Sequence, residues 1–212
     1  MSEYHKIQTI FKRDMSKRKT LLEGQWTLPE FEYLAGNLWE FTEKVDGTNV
    51  RVTFNAGIGL SFGGRTDDAQ MPTQLMARLH ERFDPQVTRL AEMFPDPASS
   101  VVLYGEGYGA KIQKGGINYR SDQDFVLFDV RVGQWWLQRK DVEDVAHKLG
   151  LDVVPVIGMG TLHAAVAWVK RGIVSNWGPF WAEGIVARPR TELMTRSGQR
   201  IIAKIKCRDF AA

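Results

Sequence analysis

Residues 43–50 read EKVDGTNV, set between two runs with strand character, WEFTEKV (39–45) and NVRVTFN (49–55). Asp46-Gly47 is a strong turn signal, because Asp favours turns and Gly accepts positive φ, so the pattern predicts a hairpin. A further run over 58–64, entered through NAGIG, extends the hairpin to an antiparallel meander. A turn does not explain why a lysine closes a strand otherwise built from Phe, Thr and Val. Lys44 is either a solvated edge charge or a nucleophile.

Outward from this stretch, strands and helices are interleaved. MPTQLMARLHERF and PQVTRLAEMF have amphipathic helical spacing, interrupted at Pro85. VVLYGEGYG and DFVLFDVRV are rich in Val, Leu and aromatics and predict strands. DVEDVAHKLG and HAAVAWVKRG predict helices that end at Gly150 and Gly172. EGIVARPR and QRIIAKIKCRDF predict closing strands. No GxGxxG opens a helix after a strand, so the expected class is α+β with mostly antiparallel sheets rather than a Rossmann fold.

Composition narrows the function classes. No apolar run approaches the roughly 20 residues that span a bilayer, and the charged opening MSEYHKIQTIFKRD has no signal-peptide core. The single cysteine, Cys207, excludes an internal disulfide and a cysteine-rich metal site. The expected location is the cytoplasm, or the host cytoplasm for a phage-encoded chain. Net charge is only +3, but KRDMSKRK at 12–19 is strongly basic, a pattern that suits either a solvated face or phosphate contacts. His5, His80, His147 and His163 have no metal-ligand spacing and read as structural. Trp135-Trp136, Trp177 and Trp181 read as packing rather than base-stacking residues.

Charges in otherwise apolar strands form a more telling set. Glu106 lies in VVLYGEGYG, Asp129 in FVLFDVRV, Glu183 opens EGIVARP, and Lys204 and Lys206 stand two apart in IIAKIKC, hence on one strand face. Each alone fits ordinary alternation. Together with Lys44 they make a chemically complete set. A nucleophilic lysine must be the neutral amine, so its unperturbed pKa near about 10.4 must fall, and neighbouring cations or a metal lower it. The same cations neutralise charge at an attacked phosphorus. Carboxylates suit hydrated Mg²⁺, a carboxylate such as Glu106 suits ribose hydroxyls, and an aromatic such as Phe128 suits a purine face.

These segments, in this order, resemble the motifs of the covalent nucleotidyltransferases, namely DNA ligases, RNA ligases and mRNA capping enzymes. EKVDGTNV is similar to motif I, YGEGYG to motif III, DFVLFDV to motif IIIa, EGIVARP to motif IV and AKIK to motif V. Within that superfamily the chain is most similar to the second phage RNA ligase family, which includes the kinetoplastid RNA-editing ligases. Asn49, the GAKIQKGGINY connection and the opening KIQTIFKRD carry that narrower likeness. Asp46 departs from one well-known member, which has His there.

The resemblance implies a nucleotidyltransferase (ATP-grasp-like) domain of mostly antiparallel sheets flanked by helices. It also implies one adenylyltransferase domain over 1–212, without a C-terminal OB or helical domain. Lys44 would take AMP from ATP as a lysyl phosphoramidate, with Asp46 beside it in the motif. Asn49 would hold metal-bound water, and Arg65 would contact ribose or an end phosphate. Glu106 would bind ribose and Phe128 would stack on adenine. Glu183 would position Mg²⁺ or Mn²⁺, with Asp129 a further metal candidate, while Lys204 and Lys206 would bind the α-phosphate. The expected function is ATP-dependent RNA ligation of 5′-phosphate and 3′-hydroxyl ends, through lysyl-AMP and an adenylated 5′ end. An accessory protein replacing the absent C-terminal domain is part of that expectation. The alternatives are a minimal ATP-dependent DNA ligase and a non-catalytic nucleic-acid end-binding module.

Overall fold

The computed structural model describes residues 3–17 and 19–210. Strands β1 (Gln8–Thr9), β2 (Phe11–Asp14) and β3 (Thr20–Trp26) lead to helix α1 (Pro29–Tyr33). Strands β4 (Trp39–Glu43), β5 (Thr48–Asn55) and β6 (Gly59–Gly63) precede α2 (Thr73–Phe83) and α3 (Val87–Met93). Next come β7 (Val101–Gly109), β8 (Gln123–Val132), β9 (Trp135–Trp136) and α4 (Arg139–Leu149). The chain continues through β10 (Asp152–Val153), β11 (Val156–Gly160), α5 (Leu162–Arg171), β12 (Gly184–Pro189) and β13 (Ala203–Lys206).

The chain divides into two compact units. One, here the Lys44 unit, comprises His5–Val45 and the chain from Pro155 onward. Its five-stranded sheet has the order β1-β13-β12-β4-β11, antiparallel except for the parallel β1–β13 pair. Helix α5 buries Leu162, Ala165, Val166 and Val169, the i, i+3, i+4, i+7 stripe of an amphipathic helix, in a core with Phe31, Trp39, Phe41 and Ile185. Thr161 Oγ1 caps α5 by accepting from the Ala164 amide at 3.1 Å.

The other, the Glu106 unit, contains Tyr4 and Asp46–Val154. Its sheet runs β10-β8-β7-β5-β6, with β9 also pairing β8, and only β10–β8 is parallel. Helix α2 contributes Leu75, Leu79 and Phe83, and α4 contributes Val142, Val145, Ala146 and Leu149, to a core under Val50, Val52, Leu103 and Leu127. Gly150 ends α4 at φ 63°, the left-handed conformation that favours glycine there. The α+β class with mostly antiparallel sheets is therefore as expected. No helix among the described residues is long and apolar enough to cross a membrane.

The meander expected over 39–64 is half right. β5 and β6 are hairpin partners, but β4 belongs to the other sheet, between β12 and β11. Asp46-Gly47 is thus not a hairpin turn between β4 and β5; it is where the chain leaves one sheet for the other. Nor is Gly47 among the residues with positive φ. It is required by close approach, since a β-carbon there would fall 2.2 Å from the Gly107 carbonyl oxygen and 2.7 Å from Glu106 Cγ. Turn chemistry and tight backbone contact select the same residue, and sequence alone does not separate them.

The basic run at 12–19 forms the end of the β2–β3 hairpin, with Lys12, Lys17 and Lys19 exposed and Arg13 paired to Asp209. Arg18 of that run lies outside the described residues.

Candidate active site

In the Lys44 unit, strand register builds a charged cluster. The Lys44 amide donates to the Gly184 carbonyl at 2.9 Å, and Gly184 is the register partner of Lys206 across β12 and β13. A row therefore runs Lys44, Gly184, Lys206 over three strands, with the residue that lacks a side chain in the middle. Glu183, just before Gly184, reaches both lysines. Lys44 Nζ donates to Glu183 Oε2 at 2.7 Å and Lys206 Nζ donates to Oε1. The three side chains are 21%, 15% and 9% exposed for Lys44, Lys206 and Glu183, so the lysines keep partial exposure while the glutamate is nearly buried. Burial alone would raise the Glu183 pKa. The Lys44 charge and the hydrogen bonds from both lysines outweigh burial and hold the carboxyl below the ordinary glutamate value. Lys204 stands two residues before Lys206 on β13, half-buried and opposite Val186.

Lys44 follows a residue that sequence reasoning passed over. Glu43 is 1% exposed; it accepts from Ser175 Oγ at 2.6 Å and from the Asn176 amide at 2.8 Å. Its carboxyl is pushed up by burial, which the Asn176 and Ser175 hydrogen bonds only partly oppose. Glu43 ties the end of β4 to the loop before Glu183. A carboxylate inside a Phe-Thr-Lys strand was the available signal, masked by its more reactive neighbour.

In the Glu106 unit, Asn49 and Glu106 are register partners on β5 and β7. Asn49 Oδ1 is buried and has no hydrogen-bond partner among the described residues. Asp46 and Gly47 are braced by the GAKIQKGGINY segment: the Asp46 amide donates to Tyr119 Oη at 3.2 Å and Gln113 Nε2 donates to the Gly47 carbonyl at 2.9 Å. Phe128 occupies a β-bulge, because register passes from Tyr104↔Asp129 to Gly105↔Leu127 and leaves Phe128 as the extra residue. Such bulges re-aim a side chain. The half-buried Phe128 ring packs edge-on against Tyr4, centroids 5.1 Å apart. Asp129, wholly buried, accepts from Tyr4 Oη at 2.8 Å. Arg65 is exposed in a loop fixed from beneath by Arg51, itself 0% exposed, whose Nε donates to the Gly64 carbonyl at 2.6 Å and whose Nη2 pairs with Asp67 at 2.8 Å. Tyr4, Arg51, Gln113 and Tyr119 were not expected from sequence; Arg51, a charge in an apolar strand, had the signal that singled out Glu106.

No group of three or more His, Cys, Asp or Glu side chains among the described residues could hold a metal by itself. The available oxygen donors are single, as for an ion that keeps water and shares phosphate oxygens.

With this geometry in place, the model of the RNA ligase family matches residues 37–206, most of the chain. The chain belongs to the RNA ligase family. The matched span begins ahead of β4 and ends on Lys206, so every candidate residue falls within this RNA ligase match. Among solved structures, the chain is similar to an alanine variant of the Naegleria gruberi RNA ligase with ATP and Mn. The TM-score is 0.68 at 16% identity, over 97% of this chain and 56% of that one. The Naegleria gruberi RNA ligase with PPi gives 0.67 at 16% identity, over 97% and 56%. An apo variant of that enzyme gives 0.65 at 18%, over 98% and 58%. At these identities the likeness establishes the fold. This chain spans little more than half the length of those ligases. No curated protein sequence matches it.

Proposed function

We propose that this RNA ligase family chain carries out ATP-dependent joining of RNA ends, with Lys44 as the residue that becomes adenylated. The observation that supports it most is one carboxylate, Glu183, holding both Lys44 and Lys206 in a row spaced by Gly184. An amine and a second cation held together on one carboxylate suit the attack on, and the charge neutralisation of, a nucleotide α-phosphate.

Lys44 attacks as the free amine after its proton passes to solvent. Its Nζ bonds to the α-phosphorus of ATP, the bond to the β-phosphate oxygen breaks and pyrophosphate leaves. The phosphate oxygen of a 5′-phosphorylated end then displaces Lys44 from AMP and gives a 5′-5′ pyrophosphate. A 3′-hydroxyl displaces AMP from that end, losing its proton and forming the phosphodiester. Lys206 and Lys204 balance phosphate charge. Glu106 takes the ribose hydroxyls, Phe128 stacks on adenine from its bulge, and Arg65 contacts ribose or an end phosphate. Asp46 orders the motif beside Lys44. Asp129 braces Phe128 through Tyr4.

Each unit offers an oxygen donor of the kind a hard divalent cation takes: Glu183 a carboxylate in one, and Asn49 in the other a buried carbonyl oxygen with no protein partner among the described residues. Mg²⁺ or Mn²⁺ held by either group would supply charge neutralisation at the phosphates. RNA is the favoured polymer because the family model is that of RNA ligases, and the site of action is the cytoplasm.

The test is sealing of matched nicked substrates with RNA or DNA at the 3′-hydroxyl side. Faster joining of RNA supports the reading. Preference for all-DNA nicks favours the minimal DNA ligase, and binding of ends without joining favours the end-binding module.

A further inference from the structure

Trp181 stands apart from the other tryptophans near the Lys44 cluster. It is 68% exposed, whereas Trp39 is wholly buried. Its indole is not loosely held. The six-membered ring is seated against Gly172, where a β-carbon would come within 2.9 Å of Cζ3 and 3.1 Å of Cε3. Gly172, at φ 85°, combines left-handed backbone with room for an indole, which other residues do not offer.

The loop carrying Trp181 is fixed at several points. Val174 and Trp181 form an antiparallel bridge, closed by Ser175 N to Phe180 O and Ala182 N to Ile173 O, both 2.8 Å. This is the non-hydrogen-bonded type of pair, in which facing side chains come closest, and Val174 is itself 59% exposed. Beneath, the buried Glu43 carboxylate holds Ser175 and Asn176. An aromatic surface prepared this way loses little freedom on binding.

Its position says what it meets. Trp181 is two residues before Glu183, with the buried Ala182 between them, so along an extended segment the two share a side, roughly 6–7 Å apart. The exposed cation Arg171 adjoins Gly172, and Cys207, whose amide bonds the Glu183 carbonyl at 2.9 Å, is followed by exposed Arg208. A solvent-facing indole, with exposed cations on the chain segments that adjoin its seat and the Glu183 backbone, has the two components that hold an unpaired base and its phosphates.

From this we infer that Trp181 is a stacking platform for an unpaired base at the RNA end being joined, distinct from the adenine assigned to Phe128. The inference rests on the ligase reading above. The indole supplies the base contact; Arg171 and Arg208 supply the phosphate contacts.

The experiment measures binding of a 3′-fluorescent, 5′-phosphorylated oligoribonucleotide by anisotropy, beside otherwise identical probes lacking one base at each of the terminal positions. Trp181→Ala weakens binding about tenfold, Trp181→Phe restores most of it, and Trp135→Ala, which removes an even more exposed indole, changes nothing. One of the base-lacking probes binds wild type as weakly as the complete probe binds Trp181→Ala, and loses nothing more in that variant. Wild-type binding by Trp181→Ala, or an equal loss with every base-lacking probe, overturns the platform. Covalent labelling of the same preparations with α-labelled ATP separates the two readings. Label on Lys44 with unchanged binding by Trp181→Ala sinks the platform alone; wild type that neither labels nor binds the probe sinks the ligase reading beneath it.

Discussion

Glu183 Oε2 lies 2.7 Å from Lys44 Nζ while its other oxygen bonds Lys206. One carboxylate therefore sets the position of the reactive amine and of the cation beside it. Glu183→Gln keeps the shape and removes the charge. It is expected to lower the rate of Lys44 labelling by about 10²-fold or more. The stability cost stays near about 1–2 kcal/mol, because Lys44 and Lys206 retain solvent access. Urea denaturation beside labelling kinetics checks both numbers; full-rate labelling would remove Glu183 from the chemistry.

Gly47 is fixed by contact, and the consequence is specific. Gly47→Ala drives a methyl against the Gly107 carbonyl and should cost about 1–3 kcal/mol, displacing the strand that presents Glu106. Gly36→Ala, with nothing within 4 Å of the added carbon, is the matched control and should be nearly neutral. Equal denaturation midpoints for the two variants would refute the contact argument.

Asp124 gives the Glu106 unit an acid-sensitive anchor. Burial pushes its carboxyl up, but hydrogen bonds from Arg82, Arg78 and the Phe125 amide more than offset this and hold the pKa at about 2. Arg120 also donates to the same carboxylate. The unfolded chain, with an ordinary Asp value near about 4, binds the proton first, so this stabilisation is complete above that value and is lost as pH falls toward 2. Asp124→Asn should be destabilised at pH 7 by about 3 kcal/mol and should show a flatter decline between pH 4 and 2 than wild type. Parallel pH curves for the two proteins would contradict this.

Arg51 supports the loop that presents Arg65. Arg51→Met removes the side-chain donor to the Gly64 carbonyl and one of the partners of Asp67, at a cost of about 1–3 kcal/mol, and loosens residues 63–67. Limited proteolysis should cut there several times faster in the variant. Unchanged cleavage would mean that the loop is held by other contacts.

The motif residues were legible as a set: each of Lys44, Glu106, Glu183 and Lys206 alone fits strand alternation, and it is their joint occurrence in apolar strands, where charge is costly, that marks them. Helix boundaries were legible where Gly150 and Gly172 end apolar stripes. The split into two sheets was not, because β4 takes its partners from β11 and β12, far along the chain, and local pattern cannot report that. The supporting residues escaped for a related reason. Glu43, Tyr4 and Tyr119 act on segments distant in sequence, and only tertiary folding brings them to Ser175, Asp129 and Asp46. Trp181 reads as packing from sequence, and its ring does seat on Gly172, a contact between residues nine apart that local pattern does not report. The bulge that frees Phe128 from strand alternation leaves no mark in DFVLFDV.

The central claim is that Lys44 is the nucleophile. The measurement that tests it most directly is incubation of the purified chain with Mg²⁺ and α-labelled ATP, beside Lys44→Ala, followed by denaturation and peptide mapping. The account predicts label that survives denaturation, maps to the Lys44 peptide and is absent from Lys44→Ala. Undiminished label on Lys44→Ala would contradict it, as would no label on folded wild type shown by mass to carry no AMP.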